Sequence, residues 1–418
     1  MLRPLALLAA LAFLAPVALA PLAPEAAAQT TFSLEALGAR VDAVLDDEDF
    51  AGARWGVYAI DAESGEVLYA RDERSRYIPA SNMKLVVTAA ALDELGPGYR
   101  FRTRLYLDGP VLDGTLVGAL VVRGGGDPRF GGRDASGDLA RAFAPWADSL
   151  RAAGVRRVSG PILLADDAVE EPSTSVLRTL RRTLSRGGIE FASGGGYGNA
   201  EGLDGRRPDY GRMRRVATLD SPRLASFVEV TNLESNNMYS ERTLRVLASE
   251  LFPGSGHVSP VLRARAADGF LGRAGVEAQT FTVADGSGLS RGNRMTPLGT
   301  VQLLHWMWDH PDPATRRAFF GSLPVGGRSG TLQRRYGSGD ARGNVRAKTG
   351  YIRRVRTLSG YVDAANGRTV VFSLMCNGYT VATRRVNRAQ DEVVELFADY
   401  QGRLLLPAEP RGARNVTD

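Results

Sequence analysis

Cysteine and histidine are scarce in this chain of 418 residues, which has one cysteine, Cys376, and three histidines. A single cysteine excludes an intramolecular disulfide, and a cysteine nucleophile would need a histidine partner. No motif surrounds His257, His305 or His310. The last two are five positions apart, so they do not share a helix face and make a poor metal pair. We therefore expect no bound metal and no cofactor.

Lysine is also rare, because only two of the 52 basic residues, Lys84 and Lys348, are lysines. Arginine serves wherever a positive charge or a long stem is sufficient. An amine, unlike a guanidinium, can lose its proton near neutral pH when it is buried or lies beside another cation. Both lysines are therefore candidates for chemistry.

Long hydrophobic runs are absent except near the N-terminus, where residues 5–20 carry no charge. The run follows a basic residue, Arg3, and precedes an Ala-x-Ala site that ends at Ala28. This order is typical of a secretory signal peptide, and the prolines around it would break a membrane span. We predict that residues 1–28 are removed on export, that the protein is periplasmic and that no transmembrane anchor remains.

The distribution of charge argues against a nucleic-acid partner. The formal net charge is +6, but the arginines occur singly or in short pairs such as Arg156-Arg157, interleaved with acids. A solvated surface shows this pattern more often than a nucleic-acid groove does.

Hydrophobic periodicity and turn residues divide the rest of the chain into helical and strand-like parts. Helices are predicted at 33–45, 81–95, 139–153, 224–233, 238–251, 297–309 and 382–400. Strands are predicted at 54–61, 66–71, 101–107, 115–122, 162–165, 345–351, 357–363 and 369–376.

This order predicts a multi-domain α+β protein. Residues 99–220, rich in short strands and Gly-containing turns, are interpreted as an inserted β-rich domain. Residues 29–98 and 221–407 would form one domain, with 408–418 as a tail. Within this domain, an N-terminal hairpin and three C-terminal strands can complete one antiparallel sheet. The first and last helices would flank the sheet on one face, and a helical lobe would lie on the other face.

Both lysines belong to short motifs with a chemical meaning. The motifs are S-x-x-K (Ser81 to Lys84), S-x-N (Ser235 to Asn237) and K-T-G (Lys348 to Gly350). Residues three apart on a helix face the same side, so Lys84 can reach the Ser81 hydroxyl and, as a neutral amine, remove its proton. Burial, or Lys348 nearby, would lower the pKa of Lys84. The three motifs in this order are typical of penicillin-recognising serine enzymes.

Further stretches make the resemblance more specific. The chain resembles the class C low-molecular-mass penicillin-binding proteins, the D-Ala-D-Ala carboxypeptidase/endopeptidase family, at residues 79–85, 88–92, 124–128, 285–290, 323–325, 330–332 and 345–350. The resemblance implies the penicillin-binding/β-lactamase-like transpeptidase fold. It also implies a serine-type hydrolase that cleaves peptidoglycan peptide stems through an acyl-enzyme and that β-lactam antibiotics inhibit covalently.

The resemblance implies catalytic roles for three side chains. Ser81 would attack the carbonyl of the penultimate D-alanine, with Lys84 as its base. Ser235 would pass a proton to the leaving amine. The backbone N–H groups of Ser81 and Tyr351 would form the oxyanion hole.

The resemblance also implies a set of substrate-binding residues. Asn237 would bind the substrate amide. Lys348 and Thr349 would hold the terminal carboxylate. Gly350 and Tyr351 follow them on the same strand and complete this part of the site.

The sequence departs from the family at several positions. Tyr351 stands where the family usually has Thr or Ser, and Ser329 where it usually has Asp. Ser81 and Ser235 are only 154 residues apart (235 − 81 = 154). A Trp-Asp-rich strip and a third domain that long members carry after the position of residues 166–167 are missing. The preferred stem peptide is therefore left open.

Two other functions share these motifs. A serine β-lactamase must deacylate rapidly, commonly through a Glu that positions water, and no matching Glu-x-x-Leu-Asn lies between Ser235 and Lys348. A non-catalytic protein that binds the cell wall on the same fold would be expected to have lost a catalytic residue. None of the motif residues is lost here.

Overall fold

The computed structural model describes residues 34–131, 138–166, 174–199, 208–253 and 258–401. The predicted signal peptide, the tail and His257 lie outside these ranges. Among the helices of this part of the chain, none combines the length and the apolar character of a membrane span.

The described residues contain both helices and strands throughout. The strands are β1 Arg54–Asp61, β2 Val67–Arg71, β3 Arg102–Asp108, β4 Val111–Leu112, β5 Thr115–Leu116, β6 Ala119–Gly124, β7 Arg157–Val158, β8 Ile162–Asp166, β9 Glu190–Phe191, β10 Tyr197–Asn199, β11 Arg214–Asp220, β12 Phe281–Thr282, β13 Arg294–Met295, β14 Arg346–Ile352, β15 Val355–Asp363 and β16 Thr369–Asn377. The helices are α1 Leu34–Leu45, α2 Met83–Leu95, α3 Asp138–Phe143, α4 Pro145–Ala152, α5 Thr174–Arg186, α6 Leu224–Leu233, α7 Asn237–Leu251, α8 Pro260–Arg273, α9 Pro297–Trp308, α10 Pro313–Ser322 and α11 Thr383–Ala398.

A five-stranded antiparallel sheet joins the two ends of the described chain in the order β14-β15-β16-β1-β2. Helices α1 and α11 cover one face, where Val41 and Val393 pack in the same buried cluster as Phe372 of the central strand β16. The other face supports α9 and the helical lobe. Because both faces are covered, β16 is buried from Val370 to Cys376, as expected for a strand that reads as a continuous apolar run.

Helix α2 is the centre of the helical lobe. Every residue from Met83 to Leu92 is buried, which is characteristic of a helix that other elements surround on all sides. Helices α6, α7, α8 and α10 pack around it. The S-x-x-K motif is therefore held by an element that has little freedom to move.

Residues 102–220 contribute a second five-stranded sheet, in the order β10-β8-β6-β3-β11, and a small sheet, β4-β5-β7-β9. These strands share a separate buried cluster with α3, α4 and α5, which includes Leu105, Val122, Leu150 and Leu180. The domain boundaries at residues 99 and 220 stay a prediction.

The helices of this segment correct the sequence analysis. The single helix predicted at 139–153 is two helices, α3 and α4, that meet at Pro145. Proline has no N–H to donate to the preceding turn, so the hydrogen-bond ladder is interrupted there. Helices α5, α8 and α10 were not predicted.

Candidate active site

Ser81 lies in a single turn of 3-10 helix, Ala80–Asn82, that leads directly into α2. Ala80 has a φ of +46°, a left-handed conformation that costs a residue with a Cβ about 1–3 kcal/mol. The buried side chain of Asn82 donates a hydrogen bond of 2.6 Å to Ser359 Oγ of β15. The turn that carries Ser81 is thus strained and anchored to the sheet.

Lys84 is fully buried and makes three polar contacts. Its Nζ lies 3.0 Å from Ser81 Oγ and 2.8 Å from Asn237 Oδ1, and it also donates to the carbonyl oxygen of Ser287. The amine is one turn along from Ser81, as the i to i+3 spacing predicted. The first and second sequence motifs therefore meet at Lys84.

The pKa of Lys84 is set by competing effects. Burial, the largest, lowers the pKa of the Lys84 ammonium to about 8, while the negative charges of Asp285 and Glu241 act in the opposite direction. A value near neutral means that the amine can lose its proton under physiological conditions. Burial was one of the two causes that the sequence predicted.

Lys348 lies on β14 and joins the second motif to the third. Its Nζ donates to Ser235 Oγ at 3.0 Å and to the carbonyl oxygen of Thr349 at 2.9 Å. Burial lowers the pKa of Lys348 well below its usual range, and the positive charges of Lys84 and Arg356 lower it further. Ser235 has a φ of +57°, so strained backbone occurs next to the hydroxyl partner of Lys348 as well as next to Ser81.

Strand β14 passes very close to the Ser81 turn. A Cβ on Gly350 would lie 2.1 Å from Thr357 Oγ1 and 3.2 Å from the backbone N of Ser81. Only glycine fits this approach. Thr349, which precedes Gly350, donates from Oγ1 to Thr331 Oγ1 at 2.8 Å. Tyr351, which follows Gly350, is 54% exposed.

The loop 284–290 completes the surroundings of Lys84, and its hydrogen bond to Lys84 was not predicted from the sequence. Glu241 Oε1 on α7 accepts from the backbone N of Gly286 at 3.0 Å and of Ser287 at 2.8 Å. Asp285 Oδ1 accepts from the backbone N of Gly288 at 2.7 Å and from Asn293 Nδ2 at 2.7 Å. The sequence of residues 285–290 resembles the family, but this resemblance did not predict which residues the loop would contact.

The described histidines have structural partners. His305 Nε2 lies 2.9 Å from the carbonyl oxygen of Ala62, and His310 Nε2 lies 3.0 Å from Asp93 Oδ1. In the described ranges, no group of three or more His, Cys, Asp or Glu residues could hold a metal ion.

The structure brings the predicted site residues together in one cluster. Ser81 and Asn237 contact Lys84, Ser235 and Thr349 contact Lys348, and Gly350 packs against the turn of Ser81, with Tyr351 following it. Their individual roles stay predictions. The arrangement pairs one hydroxyl, that of Ser81, with a buried amine, and a second hydroxyl, that of Ser235, with a second buried amine.

The chain matches a known protein family. The model of the family described as D-Ala-D-Ala carboxypeptidase 3 (S13) matches residues 37–170 and 163–400. The two matches overlap at residues 163–170.

Individual relatives extend the comparison. A D-alanyl-D-alanine carboxypeptidase of Actinomadura sp. is 27% identical over 96% of this chain and 91% of the relative. Carboxypeptidase DacB of Mycolicibacterium smegmatis is 31% identical over 76% of this chain and 75% of the relative. The crystal structure of penicillin-binding protein 4 (dacB) from Haemophilus influenzae is 20% identical and superposes with a TM-score of 0.71, covering 87% of this chain and 99% of that one. The predicted α+β fold and the predicted family are confirmed, and the chain belongs to the D-Ala-D-Ala carboxypeptidase 3 (S13) family.

Proposed function

We propose that Ser81 is the nucleophile with which this serine-type D-Ala-D-Ala carboxypeptidase/endopeptidase hydrolyses peptidoglycan stem peptides. One observation carries the proposal: Lys84 Nζ lies 3.0 Å from Ser81 Oγ, in a position where burial lowers the pKa of Lys84 to about 8. A base within hydrogen-bond distance of a hydroxyl, with a pKa near the working pH, is what activation of a serine needs.

The reaction begins with proton transfer. The Ser81 hydroxyl gives its proton to Lys84 Nζ while its oxygen bonds to the carbonyl carbon of the penultimate D-alanine. The backbone N–H groups of Ser81 and Tyr351 stabilise the negative charge on the carbonyl oxygen. Ser235 relays the proton taken up by Lys84 to the amine as the peptide bond breaks, which leaves an ester on Ser81 and a neutral Lys84. Water then hydrolyses the ester and regenerates the hydroxyl.

Lys348, the second buried amine, would hold the substrate. Lys348 and Thr349 would bind the terminal carboxylate, and Asn237 would bind the amide of the stem peptide. Burial and neighbouring cations disfavour the ammonium form of Lys348. A bound carboxylate would reverse that effect, because an opposite charge nearby favours the charged form of an amine.

The proposal includes partners and a location. Peptidoglycan peptide stems would be the substrates, and β-lactam antibiotics would acylate Ser81 as covalent inhibitors. Cleavage after Ala28 would deliver the protein to the periplasm, where these stems are accessible. N-terminal sequencing of the protein from a periplasmic extract tests this, and a chain that still begins at Met1 would contradict export with cleavage.

Labelling with fluorescent penicillin tests the nucleophile. The native protein should form a covalent band on a denaturing gel, and Ser81→Ala should abolish it. Ser290→Ala, which removes a hydroxyl of the neighbouring loop, is the matched control and should still be labelled. An unlabelled native protein, or a labelled Ser81→Ala protein, would refute the assignment.

Product analysis separates the peptidase from a β-lactamase. The native protein should release D-alanine from muropeptides that end in D-Ala-D-Ala, as measured by mass spectrometry. Rapid turnover of nitrocefin without release of D-alanine would instead indicate a β-lactamase.

A further inference from the structure

Arg356 is held against the end of the K-T-G strand. It is the antiparallel partner of Tyr351, and its Cζ lies 5.6 Å from the centre of the Tyr351 ring. Its Nε donates to Asn387 Oδ1 of α11, and its Nη1 lies 3.5 Å from the carbonyl oxygen of Gly350. All three contacts are neutral groups, so they position the guanidinium without balancing its charge.

No carboxylate within the described ranges lies at salt-bridge distance from Arg356. The nearby acid Asp391 is instead 2.6 Å from Arg335. Burial, together with the positive charge of Arg335, lowers the pKa of Arg356 to about 10. A half-buried cation that neutral groups hold in place is unfavourable until an anion joins it. The position of Arg356 therefore suits a negatively charged ligand.

The location identifies which part of a ligand this would be. Arg356 pairs with Tyr351, which lies on the same strand as Lys348 and Thr349, and its charge lowers the pKa of Lys348. On that strand, Tyr351 replaces the small hydroxyl residue that is usual at this position in the family. Its exposed ring stacks on the guanidinium, an arrangement that suits arginine better than lysine.

We propose that Arg356, supported by the ring of Tyr351, is a specificity-determining residue that recognises the free C-terminal carboxylate of the substrate. This inference rests on the proposed function and adds a cation to the carboxylate site of Lys348 and Thr349. A planar guanidinium can donate two parallel hydrogen bonds to a carboxylate. Arg356 would thereby replace the hydroxyl contact that Tyr351 lacks.

A pair of β-lactams that differ only at the carboxylate tests the proposal. The second-order rate of acylation is measured with a penicillin and with its methyl ester, which lacks the negative charge. The native protein should prefer the acid. Arg356→Gln should slow acylation by the acid about tenfold or more, as expected for loss of a charged hydrogen bond, and should change the rate with the ester less than about twofold. Arg356→Lys should retain part of the preference.

Arg353→Gln is the matched control, since Arg353 is exposed on the same hairpin and the same charge is removed. It should keep the native ratio of acid to ester rates. The proposal is overturned if Arg356→Gln also keeps that ratio, whether both rates fall together or neither changes. Absence of acylation of the native protein by both compounds is a different result, which would refute the Ser81 acyl-enzyme itself.

Discussion

Lys84 and Lys348 are both fully buried, but their electrostatic surroundings differ. The carboxylates of Asp285 and Glu241 partly offset the effect of burial on the pKa of Lys84. The pKa of Lys348 is lowered by burial and, in addition, by the positive charges of Lys84 and Arg356. Lys84 is therefore suited to exchanging a proton near neutral pH. For Lys348, a bound anion would stabilise the ammonium form most strongly.

Exchange of each lysine for arginine should separate these roles. Lys84→Arg should abolish acylation by penicillin, because a guanidinium does not accept a proton. Lys348→Arg should weaken acylation but retain some, because the charge remains. Labelling rates of the two variants measure the difference, and near-native labelling of Lys84→Arg would contradict its assignment as base.

The pH dependence of acylation should report on Lys84. The rate should increase with pH through about 8 as Lys84 becomes neutral. Glu241→Gln removes a charge that raises the pKa of Lys84 but keeps an acceptor for the backbone N of Gly286 and Ser287. The profile should therefore shift to lower pH.

The control for this shift is Glu229→Gln, which removes the same charge from an exposed position on α6. Its profile should coincide with that of the native protein. If Glu241→Gln also leaves the profile in place, Glu241 serves only to hold the loop 284–290 and does not tune the base.

At the scale of elements, two glycines allow β14 and the loop 284–290 to close on the Ser81 turn. A Cβ on Gly288 would lie 1.9 Å from the carbonyl oxygen of Ala80, and its φ is +86°. A Cβ on Gly350 would meet Thr357 Oγ1 at 2.1 Å. The atoms that a side chain would meet are backbone atoms and a buried hydroxyl, which cannot move aside. A side chain at either glycine would therefore push β14 or the loop 284–290 away from the Ser81 turn.

Gly350→Ala should therefore damage the site while leaving the fold largely intact. Displacement of β14 from Ser81 would misplace the reacting groups, and a shift of about 1 Å can cost roughly a hundredfold in rate. Acylation rates measure the effect. Gly337→Ala is the control, since Gly337 is exposed and a Cβ there would meet nothing within 4 Å; equal rates for the two variants would contradict the need for close approach.

The elements also show where sequence patterns were sufficient. The runs that became β15, β16 and α6 were predicted within about two residues, because strong apolar periodicity marks them. Helix α5 was missed even though Val176, Leu177, Leu180 and Leu184 bury one face of it. Short strands and Gly-rich turns on either side led the whole segment 99–220 to be interpreted as β-rich.

At the scale of the whole molecule, the segment 102–220 is joined to the helical lobe through aromatic packing. Phe101, which precedes β3, is fully buried and belongs to the cluster of the helical lobe. Its ring packs edge-on against Phe227 of α6 at 5.2 Å and against Tyr99 at 5.3 Å. Since α6 also packs on α2, this contact connects the segment to the helix that follows Ser81.

Phe101→Ala should destabilise the whole protein by about 3–5 kcal/mol, the usual range for loss of a buried aromatic ring. Urea denaturation followed by circular dichroism measures the change. Leu112→Ala, at a side chain that is 57% exposed on β4, should change stability by less than about 0.5 kcal/mol. If Phe101→Ala also lowered the free energy of unfolding by less than about 0.5 kcal/mol, the aromatic contact would not support the fold.

The sequence by itself determined the chemistry and the family. Two lysines among so many arginines, each in a short motif, made Ser81, Lys84 and Lys348 the candidates for catalysis, because local spacing and residue type carry that information. Only the tertiary structure decided how the groups act on one another. Contacts such as that of Glu241 with the loop 284–290, or of Arg356 with Tyr351, join residues whose meeting depends on how helices and strands pack, and the pKa of each lysine depends on the water and charge that this packing removes or brings near.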